Sequence, residues 1–164
     1  VNLGHLARDL ENIRSTPNFA FITPNLCHDG HDAPCRNGEP GGLISADQFL
    51  RTWVPRILAS PAFRKDGLLI ITFDEGTDAL ACCGEEGLAQ GPPPGRFGPG
   101  GGRVGAVLLL PFIASGTVSA TPYNHYSLLR SVEDYFNLTH LGLANAPQLQ
   151  TFGTDVFTKA AARP

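Results

Sequence analysis

Positive charge is scarce and scattered in this sequence. It carries 12 Lys and Arg against 15 Asp and Glu in 164 residues, a formal net charge of -3. Binding to a nucleic-acid backbone needs clustered Lys and Arg, so nucleic acid is excluded as a main partner. Long apolar runs are missing too. Leu68–Thr72 and Ala106–Ile113 are the longest, far below the ~20 residues that span a bilayer, and no transmembrane segment is predicted. Charged residues make up 16% of the chain, against roughly 25% in an ordinary soluble domain. Methionine is absent, and neither a signal peptide nor an internal repeat is visible. The chain opens at Val1 in a pattern that already reads as a helix, and the expectation is a fragment or processed product.

Glycine and proline are plentiful, at 19 and 14 residues, so loops are long and turn-rich. About two-fifths of the residues are apolar, enough for the core of one domain over residues 1–164. Of four cysteines, Cys27 and Cys35 flank a loop rich in His and Asp, and Cys82 and Cys83 are adjacent. The CxxC pairs of a structural zinc site are lacking. An even count in a loop-rich chain fits disulfides in an exported protein, hence a secreted, periplasmic or extracellular location. Connectivity stays open. A bridge between adjacent residues would be strained, which favours pairing of Cys82 or Cys83 with Cys27 or Cys35.

Leu3, Leu6, Leu10 and Ile13 recur at helical spacing, predicting a helix over 2–14 that Pro17 stops. Phe19–Ile22 reads as a short strand and residues 25–42 as a polar loop. Ser45 resembles an N-cap, followed by a helix with Phe49, Leu50, Trp53 and Leu58 inward and a kink or restart at Pro55. Leu68–Phe73 has no alternation, the pattern of a strand buried on both faces. Residues 84–105 hold nine Gly and four Pro and read as a loop. Val104–Leu110 is the next strand and Tyr126–Phe136 the next helix. The tail from Leu141 is irregular, with a short docking element at Phe152–Phe157. Strands alternating with helices predict an α/β fold, a mostly parallel sheet flanked by helices. Such folds place chemistry at the carboxyl ends of strands.

Three groups stand at those ends. Asp74 and Glu75 close the Leu68–Phe73 strand. Adjacent carboxylates there are costly unless a positive charge compensates them, and a divalent metal does so through hard oxygen ligands. The rival reading is an acidic turn bent at Gly76. His28-Asp29-Gly30-His31-Asp32 packs two His and two Asp into five residues, donors typical of transition-metal sites. Its rival is a solvated loop held by a disulfide. His125, after Asn124, lies at the start of a helix, where main-chain N–H groups attract anions; a helix cap is the rival. His5 and His140 lack acidic or His neighbours and read as structural or exposed. Ser127 and Thr72 have nothing beside them to activate a nucleophile. Gly100-Gly101-Gly102-Arg103 lacks P-loop spacing. Asn137-Leu138-Thr139 is a glycosylation sequon of the kind that arises often by chance.

At these residues the sequence resembles the phosphoesterase family that joins bacterial acid phosphatases, phosphatidylinositol-phosphate phosphatases and phospholipases of type C, a branch of the alkaline-phosphatase superfamily. The resemblance runs from Phe21 through Asp32, from Leu69 through Gly76, from Gly102 through Leu109 and from Tyr123 through Asp134, in the family's order. It implies hydrolysis of a small-molecule or lipid-head-group phosphate ester at a divalent metal centre, in an alkaline-phosphatase-like fold incomplete at its N-terminus. Asp74, Glu75 and Asp32 match metal ligands, His31 and His125 catalytic groups, and Asn25, His28, Asp29 and Asn124 substrate contacts. His28 is the less secure match, because relatives often carry another polar residue there. The family's Glu-Asn metal motif and its Ser or Thr nucleophile have no counterpart, so the chain alone is expected to be inactive or nearly so. A phospholipase C-type phosphodiesterase and a non-catalytic, metal-stabilised extracellular domain are the alternatives.

Overall fold

The computed structural model describes residues 3–84, 100–111 and 113–157. Its contacts divide the chain into two compact units, residues 1–69 and 70–164. The predicted loop over 84–105 falls largely outside the described residues.

In the first unit, a 3-10 turn at Leu3–His5 leads into a single helical turn, α1 (Leu6–Asp9). The predicted helix over 2–14 is therefore shorter. The side chains of Ser15 and Thr16 accept no further turn; their hydroxyls donate to the carbonyls of Asp9 and Asn12, an alternative to helix continuation that Ser and Thr offer the backbone. Residues 19–22 form no strand, and Phe21 is 85% exposed. An extended segment needs a ladder partner to become a strand.

α2 spans Gly42–Ala59 and runs through Pro55 without a break. It starts three residues before the predicted cap. Gly41 is the N-cap, at φ +69°, and Ser45 lies fully buried in the first turn. The Gly41 N–H donates to the Ser45 hydroxyl at 3.0 Å, so the serine serves the helix start from inside it. Gly41 is required here twice over. Its φ is in the left-handed region, and a Cβ at this position would run into the Asp32 carbonyl oxygen. Gly42 N–H donates to that same carbonyl at 2.6 Å, tying the His/Asp loop to the helix. Ser60 ends α2 and caps α3 (Pro61–Asp66). Ser60 Oγ accepts from Phe63 N–H and Pro61 occupies the first turn, where a missing N–H costs nothing.

Two strands, β1 (Leu69–Thr72) and β2 (Ala106–Leu109), make one sheet. They are antiparallel: Thr72 Oγ1 donates to the Gly105 carbonyl, and further along Gly76 N–H donates to Gly101. Leu69, Ile70 and Ile71 are half-buried, and Leu68, Phe73 and Val107 are 41%, 49% and 55% exposed. A single antiparallel pair does not bear on the expected parallel sheet.

α4 (His125–Tyr135) follows the amphipathic pattern. Asn124 and Ser127 form a capping box: Asn124 Oδ1 accepts Ser127 N–H at 3.0 Å, and Ser127 Oγ accepts Asn124 N–H at 3.2 Å. A 3-10 turn at Gly142–Asn145 packs on α4, with Ala144 and Leu149 at the centre of a small core closed by Tyr126, Leu143 and Ala146. Arg130 donates to the Ala146 carbonyl at 2.8 Å. Glu133 is 2% exposed, and its Oε1 accepts the Leu141 N–H at 3.1 Å. The tail docks where the sequence placed its element: Phe152 N–H donates to Ser131 Oγ at 2.9 Å, and the Phe152 ring meets Tyr123 edge-on at 4.9 Å.

Candidate active site

In the first unit, the His/Asp loop is closed by a Cys27–Cys35 disulfide and contains a cis Ala33–Pro34 peptide. Asn25 organises its start. The Asn25 carbonyl accepts the N–H groups of His28 and Asp29 at 2.8 and 3.0 Å, and Asn25 Oδ1 accepts Cys27 N–H at 3.2 Å. This is an Asx-type turn built by one residue. The same Oδ1 lies 2.7 Å from His28 Nδ1, and His28 Nε2 lies 3.1 Å from Glu39 Oε2. Both ring nitrogens of His28 therefore face acceptors. Asp29 Oδ1 accepts His31 N–H at 2.8 Å, and His31 Nδ1 lies 3.0 Å from Asp32 Oδ1. The His31 side chain is 74% exposed.

In the second unit, Asp74 and Glu75 follow β1 and are exposed. Neither carboxylate has a hydrogen-bond or ion-pair partner among the described residues. His125, the first residue of α4, places Nε2 at 2.9 Å from the Asp74 main-chain carbonyl; Nε2–H is the donor. Asn124, a predicted substrate contact, spends both ends of its amide locally. Its Oδ1 caps α4 and its Nδ2 donates to the Cys83 carbonyl at 2.9 Å. Cys82 and Cys83 are bonded to each other, which corrects the expected pairing with Cys27 or Cys35. Those two satisfy each other across eight residues, and Cys83 takes φ +65°.

The sequence missed three groups. Glu39 partners His28. Glu133 braces the turn after α4. Asp155 accepts hydroxyl donors from Ser119, Thr121 and Tyr123, the last two at 2.8 and 2.7 Å. These hydrogen bonds, Ser119 first, hold the Asp155 carboxyl down to about 2. Partial burial and the Asp155 hydrogen bond push the Tyr123 phenol up. No spacing rule marks Asp155, because its partners lie 32 to 36 residues away.

Hard carboxylate donors at Asp74 and Glu75, with an imidazole beside them, suit a divalent ion by chemistry. Their donor atoms do not converge: among the described residues one group of three gathers its ligand atoms within 4.8 Å, formed by Cys27, His28 and Glu39. The disulfide removes its sulfur as a thiolate donor, which leaves His28 and Glu39. Asp74 and Glu75 thus fit a metal as part of a shell that further groups must complete.

A family model described as "Phosphoesterase family" matches residues 2–139. The chain belongs to the phosphoesterase family. It is similar to a probable acid phosphatase of Kluyveromyces lactis, 31% identical over 144 residues, covering 86% of this chain and 28% of the relative. An acid phosphatase of Aspergillus fumigatus is 30% identical over 138 residues, covering 82% of this chain and 24% of that protein. An acid phosphatase of Aspergillus niger is 29% identical over 145 residues, covering 86% and 28%. The chain spans about a quarter of the length of these relatives. No solved structure matches it. Among the described residues, no helix is long and apolar enough to cross a membrane.

Proposed function

We propose that this chain is part of a secreted, metal-dependent hydrolase of phosphomonoesters, phosphoinositides among the substrates. The observation that carries the reading is the strand-end group of the second unit. Asp74 and Glu75 present two carboxylates without a partner among the described residues, and His125 is held against the main chain of Asp74. Membership of the phosphoesterase family and the acid-phosphatase relatives support it, and the disulfides suit an exported protein.

Asp74, Glu75 and Asp32 would contribute to holding the ion. When bound, a divalent metal supplies charge neutralisation at the phosphoryl oxygens and activates water. His125 donates a hydrogen bond from Nε2 and is placed to neutralise charge on a transferring oxygen. His31, exposed and oriented by Asp29 and Asp32, is suited to proton transfer or phosphate contact. Asn25, His28 and Asp29 form a turn that contacts substrate. The nucleophile is assigned to sequence of the longer protein outside this chain, as is the rest of a mostly parallel, alkaline-phosphatase-like sheet.

The test is metal analysis with a chromogenic phosphomonoester on the longer protein and on this chain. Bound divalent metal, activity lost on chelation, and an inactive chain agree with the proposal. Equal activity of the chain and the longer protein overturns the missing nucleophile. Absence of activity in a metal-loaded longer protein favours the non-catalytic domain, and preference for a phosphodiester favours the phospholipase C-type reading.

A further inference from the structure

The first unit contains an open groove of about 460 Å³ that the residues assigned to catalysis do not fill. Thr23, Pro24, Asn25 and His28 form one wall, and Gln48, Phe49, Thr52 and Trp53 on α2 form another. Its volume is within the range of small-molecule sites, which pair apolar walls with a few polar groups. Three features define what it suits. Among the described residues no Lys, Arg, Asp or Glu lines it, and away from His28 its polar groups are uncharged. Its aromatic residues are in series: His28 and Phe49 have ring centroids 6.5 Å apart, and Phe49 and Trp53 6.4 Å apart, within the range of ring–ring attraction. Arg56 lies 5.3 Å from the Trp53 ring centroid, a cation–π contact that orients the indole.

We propose that this groove binds the leaving group of the phosphate ester, and that its chemical class is an uncharged planar aryl alcohol. Phe49 and Trp53 supply ring contact, the Gln48 amide supplies hydrogen bonds at the edge, and Thr52 Oγ1, which donates to the Gln48 main-chain carbonyl, can accept one. The groove meets the assigned substrate contacts at Asn25 and His28, so an aryl group seated on Trp53 extends from the end where the ester is held. Phe49 and Trp53 are one helical turn apart on α2, which is why a single helix face presents both. The assignment of the aryl group as a leaving group rests on the phosphoesterase reading; the affinity of the groove for an aryl group does not.

The experiment compares binding of phenyl phosphate and of glycerol 2-phosphate to the longer protein by calorimetry, without turnover and with metal removed. Phenyl phosphate is expected to bind about tenfold more tightly, a preference of the size ring stacking provides. Trp53→Ala is expected to abolish the preference and leave glycerol 2-phosphate unchanged, and Trp53→Phe to retain most of it. Gln48→Ala, at an exposed position of α2, is expected to weaken 4-hydroxyphenyl phosphate, whose ring hydroxyl can bond to the Gln48 amide, while leaving glycerol 2-phosphate unchanged, and serves where Trp53→Ala disturbs folding. Equal affinity for the two esters, as when another segment of the protein fills the groove, overturns the proposal. Equal loss of both in Trp53→Ala, with equal loss of 4-hydroxyphenyl phosphate and glycerol 2-phosphate in Gln48→Ala, overturns it too. An aryl preference in a metal-loaded protein that hydrolyses neither ester keeps the groove and overturns the hydrolase reading.

Discussion

His125 Nε2 lies 2.9 Å from the main-chain carbonyl of Asp74, across 51 residues of sequence. The bond fixes an exposed imidazole beside an exposed acidic pair, and it uses the backbone of Asp74 rather than its carboxylate. Both Asp74 oxygens stay available to a ligand.

That division of labour makes the pair separable by mutation. Asp74→Asn in the longer protein should leave the His125 contact and the fold intact, because the carbonyl is retained. Turnover of a phosphomonoester should fall by roughly 10²–10³, the usual size of a lost charge-stabilising contact. Rate measurements alongside thermal unfolding check both halves. A variant with unchanged turnover sinks the metal-ligand assignment of Asp74.

Asn124 acts first on structure. Its amide caps α4 and bonds Cys83, so Asn124→Ala should cost about 1 kcal/mol from the cap. Ser127→Ala should cost a comparable amount, and the double variant less than the sum, because each residue satisfies the other's N–H. Chemical denaturation of the three variants tests this. Strict additivity would mean that the capping box is not an energetic unit.

Asp155 gives the second unit an acid dependence. Its carboxyl is held down to about 2, against an ordinary 3.8, first by Ser119 and then by Tyr123 and Thr121. A depressed folded-state value contributes stability that is present above the unfolded value and lost as pH falls through the folded one. Stability should therefore decline between about pH 4 and pH 2. Asp155→Asn should flatten that part of the profile. Unfolding midpoints at a series of acidic pH values decide it, and an unchanged slope in the variant counts against the hydroxyl cluster.

Gly41→Ala should destabilise the first unit by about 1–3 kcal/mol, because a side chain is strained at φ +69° and meets the Asp32 carbonyl. Gly38→Ala is the control: it shares a positive φ but has no atom within 4 Å of the added carbon. Denaturation should show the larger loss at Gly41. Equal losses would assign the effect to φ alone.

The sequence alone determined what short-range chemistry can specify. The apolar spacing from Tyr126 to Phe136 marked α4, the even cysteine count marked disulfides, and four ordered motifs marked the family. Helix starts were less legible. Ser45 has the chemistry of a cap, yet Gly41 takes the role because the turn after Asp32 needs a residue with no Cβ. The apolar run Leu68–Phe73 marked β1 (Leu69–Thr72).

What only the tertiary structure decided are the contacts between residues far apart in sequence. The His125 contact with Asp74 and the convergence of Ser119, Thr121 and Tyr123 on Asp155 span 32 to 51 residues. The physical reason is common to all of them. Propensity, capping and periodicity act within a few residues, whereas a hydrogen bond between distant groups forms only after the chain between them has been folded into place.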